Sequence, residues 1–412
     1  MPRATSTSMS VSMCCWMARV RSLSVMLMFV PPRRGFSSAT LLYIVRHPIS
    51  TLFRKSAFGC RKAPWANALD GQPCPKAMDR DLPTFLGLPE DDDAAPDVVV
   101  LPLPYELTTS YGQGTAEGPI ACLEASAQVE THEVLLGEDL PAGLTFRTEQ
   151  PWSSEAGSLL EQLDDMEAYL RPWCSGDVFP LSLGGEHGIL PPMIAALRDH
   201  PAVEGDLRRL TVVQIDAHAD LRSELDGEPY SHACAAARAL DLGVGRLLQV
   251  GVRAHSLEEQ NRIDDDERIT TWFARDVMAP SGGEAAWASF IDALTALEGP
   301  VHLTFDLDGL DGTLVPATGT PVPGGLTFWH AVHAIESVFS APKATVISAD
   351  VNEIARQADS PLTQFTAAML ATKIVGAHVL ARREGRWSPV GDAPQGSRSP
   401  LPRRTFRSPN SD

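Results

Sequence analysis

Two carboxylates and an imidazole follow an apolar run in the segment TVVQIDAHADL, residues 211–221. The run ends at Ile215 and leads directly into Asp216, His218 and Asp220. In an extended chain, side chains two positions apart point to the same side, so a strand continued through this segment would place all three on one face. Buried carboxylates that lack a counter-charge are strongly unfavourable. The segment therefore predicts a cation among them.

Three further segments place polar groups after an apolar run. LSLGGEHG carries His187, LTFDLDGLDG carries Asp306 and Asp308, and ISADVNEI carries Asp350 and Glu353. Functional sites of parallel sheets form beyond the carboxyl ends of the strands. We therefore expect the four segments to bring these side chains together at one edge of a sheet.

The chemistry of such a cluster is that of a metal centre. Oxygen-rich ligation with some imidazole and no thiolate favours a hard or borderline ion such as Mn²⁺. Six ligands with bridging carboxylates suit two ions about 3.5–4 Å apart, and a water held between them becomes a hydroxide nucleophile near neutral pH. Glu353 is a candidate anchor for a planar cation. The six predicted ligands are His187, Asp216, His218, Asp220, Asp306 and Asp308.

Each of these residues alone has a simpler explanation. Asp216 or Asp220 could cap a helix or lie at the surface, His187 could be a core histidine, and Asp308 could form a turn with Gly309. Only their joint arrangement indicates a metal site. Six other histidines lack comparable neighbours in the sequence and are interpreted as structural: His132, His255, His302, His330, His333 and His378.

Short apolar runs alternate with helical patterns over residues 97–383, which favours an α/β fold with a parallel sheet covered on both faces. The predicted strands are 97–103, 178–183, 210–215, 246–252, 301–305 and 344–349. The predicted helices lie around 153–172, 190–200, 230–242, 284–298, 327–340 and 361–383.

The charge distribution separates a basic leader from an acidic body. Residues 1–77 hold eleven of the 34 Lys and Arg residues but a single acid, Asp70, so the remainder carries 23 positive and 51 negative charges, a net −28. A body this acidic disfavours nucleic acid and anionic membrane surfaces as partners and favours small cations. No apolar run reaches the eighteen residues or more that a membrane span requires.

The leader, residues 1–77, has three interpretations: a mitochondrial transit peptide, a secretory signal, or sequence ahead of a true start at Met78. We expect it to lie outside the fold, and we expect residues 78–384 to form a single catalytic domain. The tail, 385–412, is rich in Pro, Ser and Arg and is predicted to be disordered. The three cysteines of the body (Cys122, Cys174 and Cys234) form no CxxC motif, which fits a reducing, cytoplasmic location. A genuine transit peptide would instead indicate mitochondria.

Five ordered motifs resemble those of the ureohydrolase family, the arginases and agmatinases: GGEHG, DAHADL, SHACAAAR, TFDLDGLDGTLVPATGTPVPGGL and DVNEI. The resemblance covers roughly residues 94–383. The segment LPLPYELTTSYGQGTAEGPIACLEAS, residues 101–126, is similar to the N-terminal part of the agmatinase branch.

The resemblance implies a three-layer α/β/α sandwich that assembles as a homotrimer or homohexamer. It implies that the six ligands hold two Mn²⁺ ions, with Asp216 and Asp306 bridging and Asp220 orienting the hydroxide. It also implies that His232 is a mobile acid/base histidine, that Glu353 grips the guanidinium group, and that 318–325 is a loop near the site. Two departures from the family pattern, Ala233 and Gly312, touch no ligand but weaken any transfer of substrate specificity.

Together these features predict a binuclear manganese amidinohydrolase acting on a small cationic guanidino substrate, with agmatine, cleaved to putrescine and urea, as the first choice. Alternatives of the same chemistry are a guanidinobutyrase, another guanidino-acid or guanidine hydrolase, and a formimidoylglutamase. Ni²⁺ could replace Mn²⁺. Alternatives from other classes are a catalytically silent regulatory homologue and a zinc deacetylase, which would need one metal ion and leave His187 and Asp220 superfluous.

Overall fold

The computed structural model describes residues 82–91, 93–356 and 360–389, together with the short paired strands Arg19–Val20 and Leu23–Ser24. The chain divides into two units, Met1–Asp79 and Arg80–Asp412. Apart from those two strands, the predicted leader lies outside the described residues, as does the tail beyond residue 389. The proposed roles of both segments therefore stay predictions.

The main sheet of the second unit contains eight strands, and every neighbouring pair is parallel. Their order across the sheet is β2-β1-β3-β8-β7-β4-β5-β6. The bounds are β1 Val98–Leu103, β2 Phe146–Thr148, β3 Phe179–Gly184, β4 Thr211–Ile215, β5 Arg246–Val250, β6 Ile269–Trp272, β7 Glu298–Asp306 and β8 Lys343–Asn352. A separate antiparallel ribbon pairs His132–Glu133 with Glu138–Asp139.

Helices cover both faces of this sheet. Their bounds are α1 Gly118–Ser126, α2 Leu159–Leu170, α3 Leu190–Leu197, α4 Ala235–Leu242, α5 Leu257–Asp265, α6 Ala274–Val277, α7 Gly283–Thr295, α8 Phe328–Ser340 and α9 Leu362–Arg383. The helices α1, α7, α8 and α9 contribute to one apolar core, and α2, α3 and α4 contribute to the other.

Side chains along β1 alternate between these two cores. Val98 and Val100 lie in the first core, whereas Val99 and Leu101 lie in the second, and all four are fully buried. A strand buried on both faces needs apolar residues at every position, which explains the continuous apolar runs in the sequence. The predicted three-layer sandwich with a central parallel sheet is thus confirmed.

All six predicted strands are present, and the sequence missed the two edge strands, β2 and β6. Both are short and only half-buried, because an edge strand has a neighbour on one side only. Three helices, α1, α5 and α6, were also not predicted. The predicted helix around 230–242 is shorter, since His232–Cys234 forms a 3₁₀ turn and α4 begins at Ala235.

The last helix, α9, is long and apolar enough to cross a membrane by length and composition. In the structure, 72% of its apolar window is buried within the protein, where it packs against α1 and α8. It therefore has the environment of a central core helix in the sandwich.

Candidate metal centre and active site

The predicted ligands meet at the carboxyl ends of the four central strands of the sheet, β3, β8, β7 and β4. His187 begins a 3₁₀ turn just after β3, Asp216 directly follows β4, and Asp306 is the last residue of β7. Glu353 directly follows β8. The expected convergence at one sheet edge is therefore what the structure shows.

His187 is the centre of the first ligand group. Its Nδ1 atom lies 2.8 Å from Asp220 Oδ2, 3.1 Å from Asp216 Oδ2 and 3.6 Å from Asp306 Oδ2. All four side chains are buried. His187, Asp216 and Asp220 offer ligand atoms close enough together to hold one metal ion.

His218 is the centre of the second ligand group. Its Nδ1 atom lies 3.1 Å from Asp308 Oδ2 and 3.6 Å from Asp216 Oδ1. Asp216, His218 and Asp308 could hold a second ion, so the two groups share Asp216, which presents one oxygen to each. Asp306 faces the first group, and its Oδ1 accepts a hydrogen bond of 2.9 Å from the Asp308 backbone N–H.

The reason the ligands converge differs from the one expected. Strand β4 ends at Ile215, so Asp216, His218 and Asp220 do not share the face of a continued strand. Instead the chain turns, and Asp220 adopts a left-handed φ of 53°. Glu353 has a φ of 57°. Such backbone conformations are unfavourable for residues other than glycine and concentrate at functional sites.

A hydrogen-bonded chain fixes the orientation of His187. Its Nε2 lies 2.9 Å from Thr304 Oγ1, which donates to Asp350 Oδ1 at 2.7 Å. Because Thr304 spends its hydroxyl proton on Asp350, Nε2 must be the protonated nitrogen of His187. Nδ1, the nitrogen that faces the carboxylates, is then the atom that would bind a metal ion on releasing its own proton.

The far end of this chain corrects two predictions. Asp350 lies inside β8 rather than after it. His302, for which the sequence predicts no polar partner, contacts Asp350 Oδ2 through Nε2 at 2.7 Å. Both residues are fully buried. The polar His302 and Thr304 within an otherwise apolar strand, VHLTF, were the signal that could have revealed this network.

The electrostatics of the cluster fit a divalent cation. Burial and the charge of Asp216 raise the pKa of Asp220 to about 7. Although burial lowers it, the charges of Asp308 and Asp216 raise the pKa of His218 to about 11. Among the described residues, the buried Nδ1 of His187 finds no hydrogen-bond partner despite its proximity to two carboxylates. Excess negative charge and an orphaned ligand atom are what a bound metal ion would relieve.

Glu353 lies against the first ligand group. Its Oε1 accepts the His187 backbone N–H at 3.0 Å, and burial with the charge of Asp308 raises its pKa to about 8. A Cβ atom on Gly319 would lie 2.7 Å from Glu353 Oε2, so the loop 318–325 packs directly on this carboxylate. The position suits a carboxylate that binds a cationic group beside the metal centre.

His232 lies beside the cluster rather than in either ligand group. Its Nδ1 is 3.3 Å from Thr108 Oγ1, and its Nε2 is 3.3 Å from Ser110 Oγ. Burial lowers its pKa, which favours the neutral ring. The backbone N–H and the hydroxyl group of Thr108 donate to the buried carboxylate of Glu186, which holds Thr108 in place. This contact was not predicted from the sequence.

A cavity of about 550 Å³ adjoins the His232 segment. Thr108 and Ser110, which contact His232, contribute to its wall, and Asp226 and Glu228 add carboxylates. Among the described residues that line it, none is a lysine or an arginine. The cavity is therefore suited to a positively charged group.

Comparison with known proteins agrees with the fold. Residues 96–377 match the arginase family. The chain is 34% identical to an N(1)-aminopropylagmatine ureohydrolase of Synechocystis sp. over 69% of this chain and 89% of the relative. It is 28% identical to an agmatinase of Pyrococcus horikoshii, over 73% of this chain and 96% of the relative.

Solved structures show the same fold. The agmatine ureohydrolase of Thermoplasma volcanium aligns with a TM-score of 0.58 and 28% identity, covering 70% of this chain and 92% of that protein. Members of this family depend on metal ions, in keeping with the His/Asp cluster described above. The relatives named above are hydrolases of carbon–nitrogen bonds in linear amidines. The chain belongs to the arginase family.

Proposed function

We propose that the protein is a binuclear manganese amidinohydrolase that releases urea from a small cationic guanidino compound, with agmatine as the first choice. The observation that carries this proposal is the pair of ligand groups that share Asp216. Beside them, the carboxylate of Glu353 accepts a hydrogen bond from the backbone N–H of His187. Two divalent ions bound there would lower the pKa of a water between them to near neutral and so provide hydroxide for attack.

The chain's own groups supply the remaining steps. Glu353 binds the guanidinium group through charge-assisted hydrogen bonds and turns its carbon towards the ligand groups. Asp220 holds the nucleophile in line from its buried position beside His187. His232, whose lowered pKa favours the neutral ring, takes up the proton that the attacking water gives up and passes it to the leaving amine.

The cavity beside His232 supports an amine tail over an acidic one. Asp226 and Glu228 would repel a carboxylate on the substrate, such as that of a guanidino acid, and would attract an ammonium group. The cavity also offers room for a longer tail. The size of the cavity, together with the relatives named N(1)-aminopropylagmatine ureohydrolase, favours N(1)-aminopropylagmatine as a second candidate substrate.

The first experiment is a substrate panel on the full chain loaded with Mn²⁺, scored by urea release. We expect agmatine and N(1)-aminopropylagmatine to react and 4-guanidinobutyrate to react far more slowly. Asp220→Asn should abolish activity, whereas Glu224→Gln, a change of an exposed carboxylate in the same loop region, should not. Wild-type protein that contains two Mn²⁺ and yet releases no urea from any guanidino compound would contradict the proposal.

A second experiment separates the two candidate substrates. Removing the charge of Glu228 with Glu228→Gln should raise KM for N(1)-aminopropylagmatine more than KM for agmatine, because the longer tail reaches deeper into the cavity. Glu224→Gln again serves as the control. Equal effects on the two KM values would mean that the cavity does not bind the longer tail, but would leave the hydrolase assignment unchanged. Cytoplasmic location, exclusion of nucleic acid and membrane, and assembly as a trimer or hexamer remain part of the proposal.

A further inference from the structure

Arg253 has an unusual set of partners next to the metal centre. Its guanidinium group donates, within the described part of the chain, to backbone carbonyl oxygens alone. Seven N–H···O=C contacts of 2.6–3.4 Å reach the carbonyls of Gly251, Asp308, Gly309, Leu310, Val322 and Pro323. Acidic side chains are nearby, but the side chain engages none of their oxygens by a hydrogen bond.

These carbonyls belong to the segments that form the site. Asp308 carries a ligand of the second group, and 322–323 is part of the loop 318–325, which packs on Glu353. Thr320 Oγ1 in that loop donates to Asp308 Oδ2 at 3.4 Å. The Arg253 backbone N–H also bonds the carbonyl of Ala217, between two ligands, at 2.8 Å. A single residue thus ties both ligand-bearing turns to the loop over Glu353.

The choice of acceptors has a physical consequence. A guanidinium has five N–H donors in a rigid planar fork, whereas a lysine ammonium has three donors at a single point. By bonding carbonyls, Arg253 holds the backbone of Asp308 and leaves the carboxylate oxygens of Asp308 available to a cation. Burial lowers the pKa of Arg253 while the charges of Asp308 and Asp216 raise it, so the group lies in the field of the same carboxylates.

We infer that Arg253 is a positioning residue, which orients Asp308 for the second metal ion and holds loop 318–325 against Glu353. The two ligand groups therefore differ: Arg253 donates directly to the backbone of Asp308 in the second group, whereas it reaches the His187 group only through loop 318–325 and Glu353. The part of this inference that concerns substrate binding rests on the proposed function, whereas the part that concerns the metal and the loop does not.

The test compares Arg253→Lys and Arg253→Met with wild type and with Arg268→Lys. Arg268 is a matched control because it also donates to backbone carbonyls, those of Leu240 and Val244, away from the site. Mn²⁺ is titrated calorimetrically into the metal-free full chain, and hydrogen exchange is followed in residues 308–326. The second measurement requires neither metal nor activity.

We expect both Arg253 variants to weaken one class of Mn²⁺ sites by about 10–100-fold, the range for changes around metal ligands, and to weaken the other class far less. Exchange in 308–326 should be faster in both variants and unaffected in Arg268→Lys. Arg253→Lys behaving as wild type would mean that charge alone suffices and would overturn the inference. Equal weakening of both classes, or the same changes in Arg268→Lys, would also overturn it.

If wild type proves to release no urea, the proposed function fails, but these binding and exchange results still decide the role of Arg253. If urea is released, the Arg253 variants saturated with Mn²⁺ should show a raised KM for agmatine, because the loop no longer holds Glu353. An unchanged KM would overturn the loop part of the inference.

Discussion

Replacing Thr304 with valine should reduce Mn²⁺ affinity, in addition to destabilising the protein with or without metal through the loss of the hydrogen bond to Asp350. Valine keeps the shape of the side chain but removes the Oγ1 atom that lies 2.9 Å from His187 Nε2. To bind a metal through Nδ1, His187 must carry its proton on Nε2, where the variant offers no acceptor. In the metal-free state the ring can move that proton to Nδ1, which lies 2.8 Å from Asp220 Oδ2.

The loss at His187 therefore falls on metal binding, whereas the lost hydrogen bond to Asp350 destabilises the metal-free and the loaded protein alike. His187 is fully buried, so water cannot replace the missing acceptor. A buried donor left unsatisfied costs about 1–3 kcal/mol. Since about 1.4 kcal/mol corresponds to a tenfold change in affinity, we expect Mn²⁺ to bind roughly 5–150-fold more weakly at the His187 group.

The assay is calorimetric titration of Mn²⁺ into metal-free protein, with thermal unfolding measured before and after loading. Thr304→Ser retains the hydroxyl and should bind Mn²⁺ nearly as wild type does. The melting temperature of Thr304→Val should fall more in the loaded than in the metal-free state. Wild-type affinity in Thr304→Val, or an equal loss in Thr304→Ser, would refute the assignment of the Nε2 proton.

Three further predictions concern the loop, pH and metal removal. Gly319→Ala places a Cβ 2.7 Å from Glu353 Oε2 and should raise KM for agmatine about tenfold or more, the effect of losing a charged hydrogen bond. Gly157→Ala is the control because a Cβ there would lie in open space. Equal KM values for the two variants would contradict the contact. Burial lowers the pKa of His200 from 6.5 to about 4. The unfolded chain therefore takes up the proton first, and the free energy of unfolding should fall by up to roughly 3 kcal/mol as pH falls from 6.5 to 4. Urea unfolding at several pH values should show a smaller loss in His200→Gln, and an equal loss would exclude His200 as the cause. Removing Mn²⁺ with a chelator should lower the melting temperature, since an ion at 100 times its Kd stabilises the fold by about 2.7 kcal/mol per site; an unchanged value would argue against binding to the native cluster.

The architecture was readable from the sequence because central strands must be apolar on both faces. The run 97–103 gave β1 within one residue, and 344–349 marked the middle of β8. Edge strands carry no such requirement, since one side has no neighbour. The segment Ile269–Trp272, with two threonines and only its first residue buried, had no pattern to distinguish it from a loop.

The cluster of candidate ligands was predictable because the residue types and their places after strands agree. Their supporting residues were not. Arg253 is an ordinary surface-type residue by sequence, and its role depends on carbonyls that are brought to it by segments 55–70 positions away. Asp350 was visible in the sequence, but its partner His302 becomes adjacent only through the pairing of β7 with β8. Contacts of this kind are set by the tertiary fold.

The unequal burial of the two histidine ligands has a kinetic consequence. The His187 side chain is 1% exposed, whereas that of His218 is 28% exposed. In a centre that holds two ions, as proposed, an ion at the His187 group would exchange with solvent more slowly than an ion at the more exposed His218 group. A chelator added to protein loaded with two ions should therefore remove them in sequence, and the intermediate would retain the ion at the His187 group.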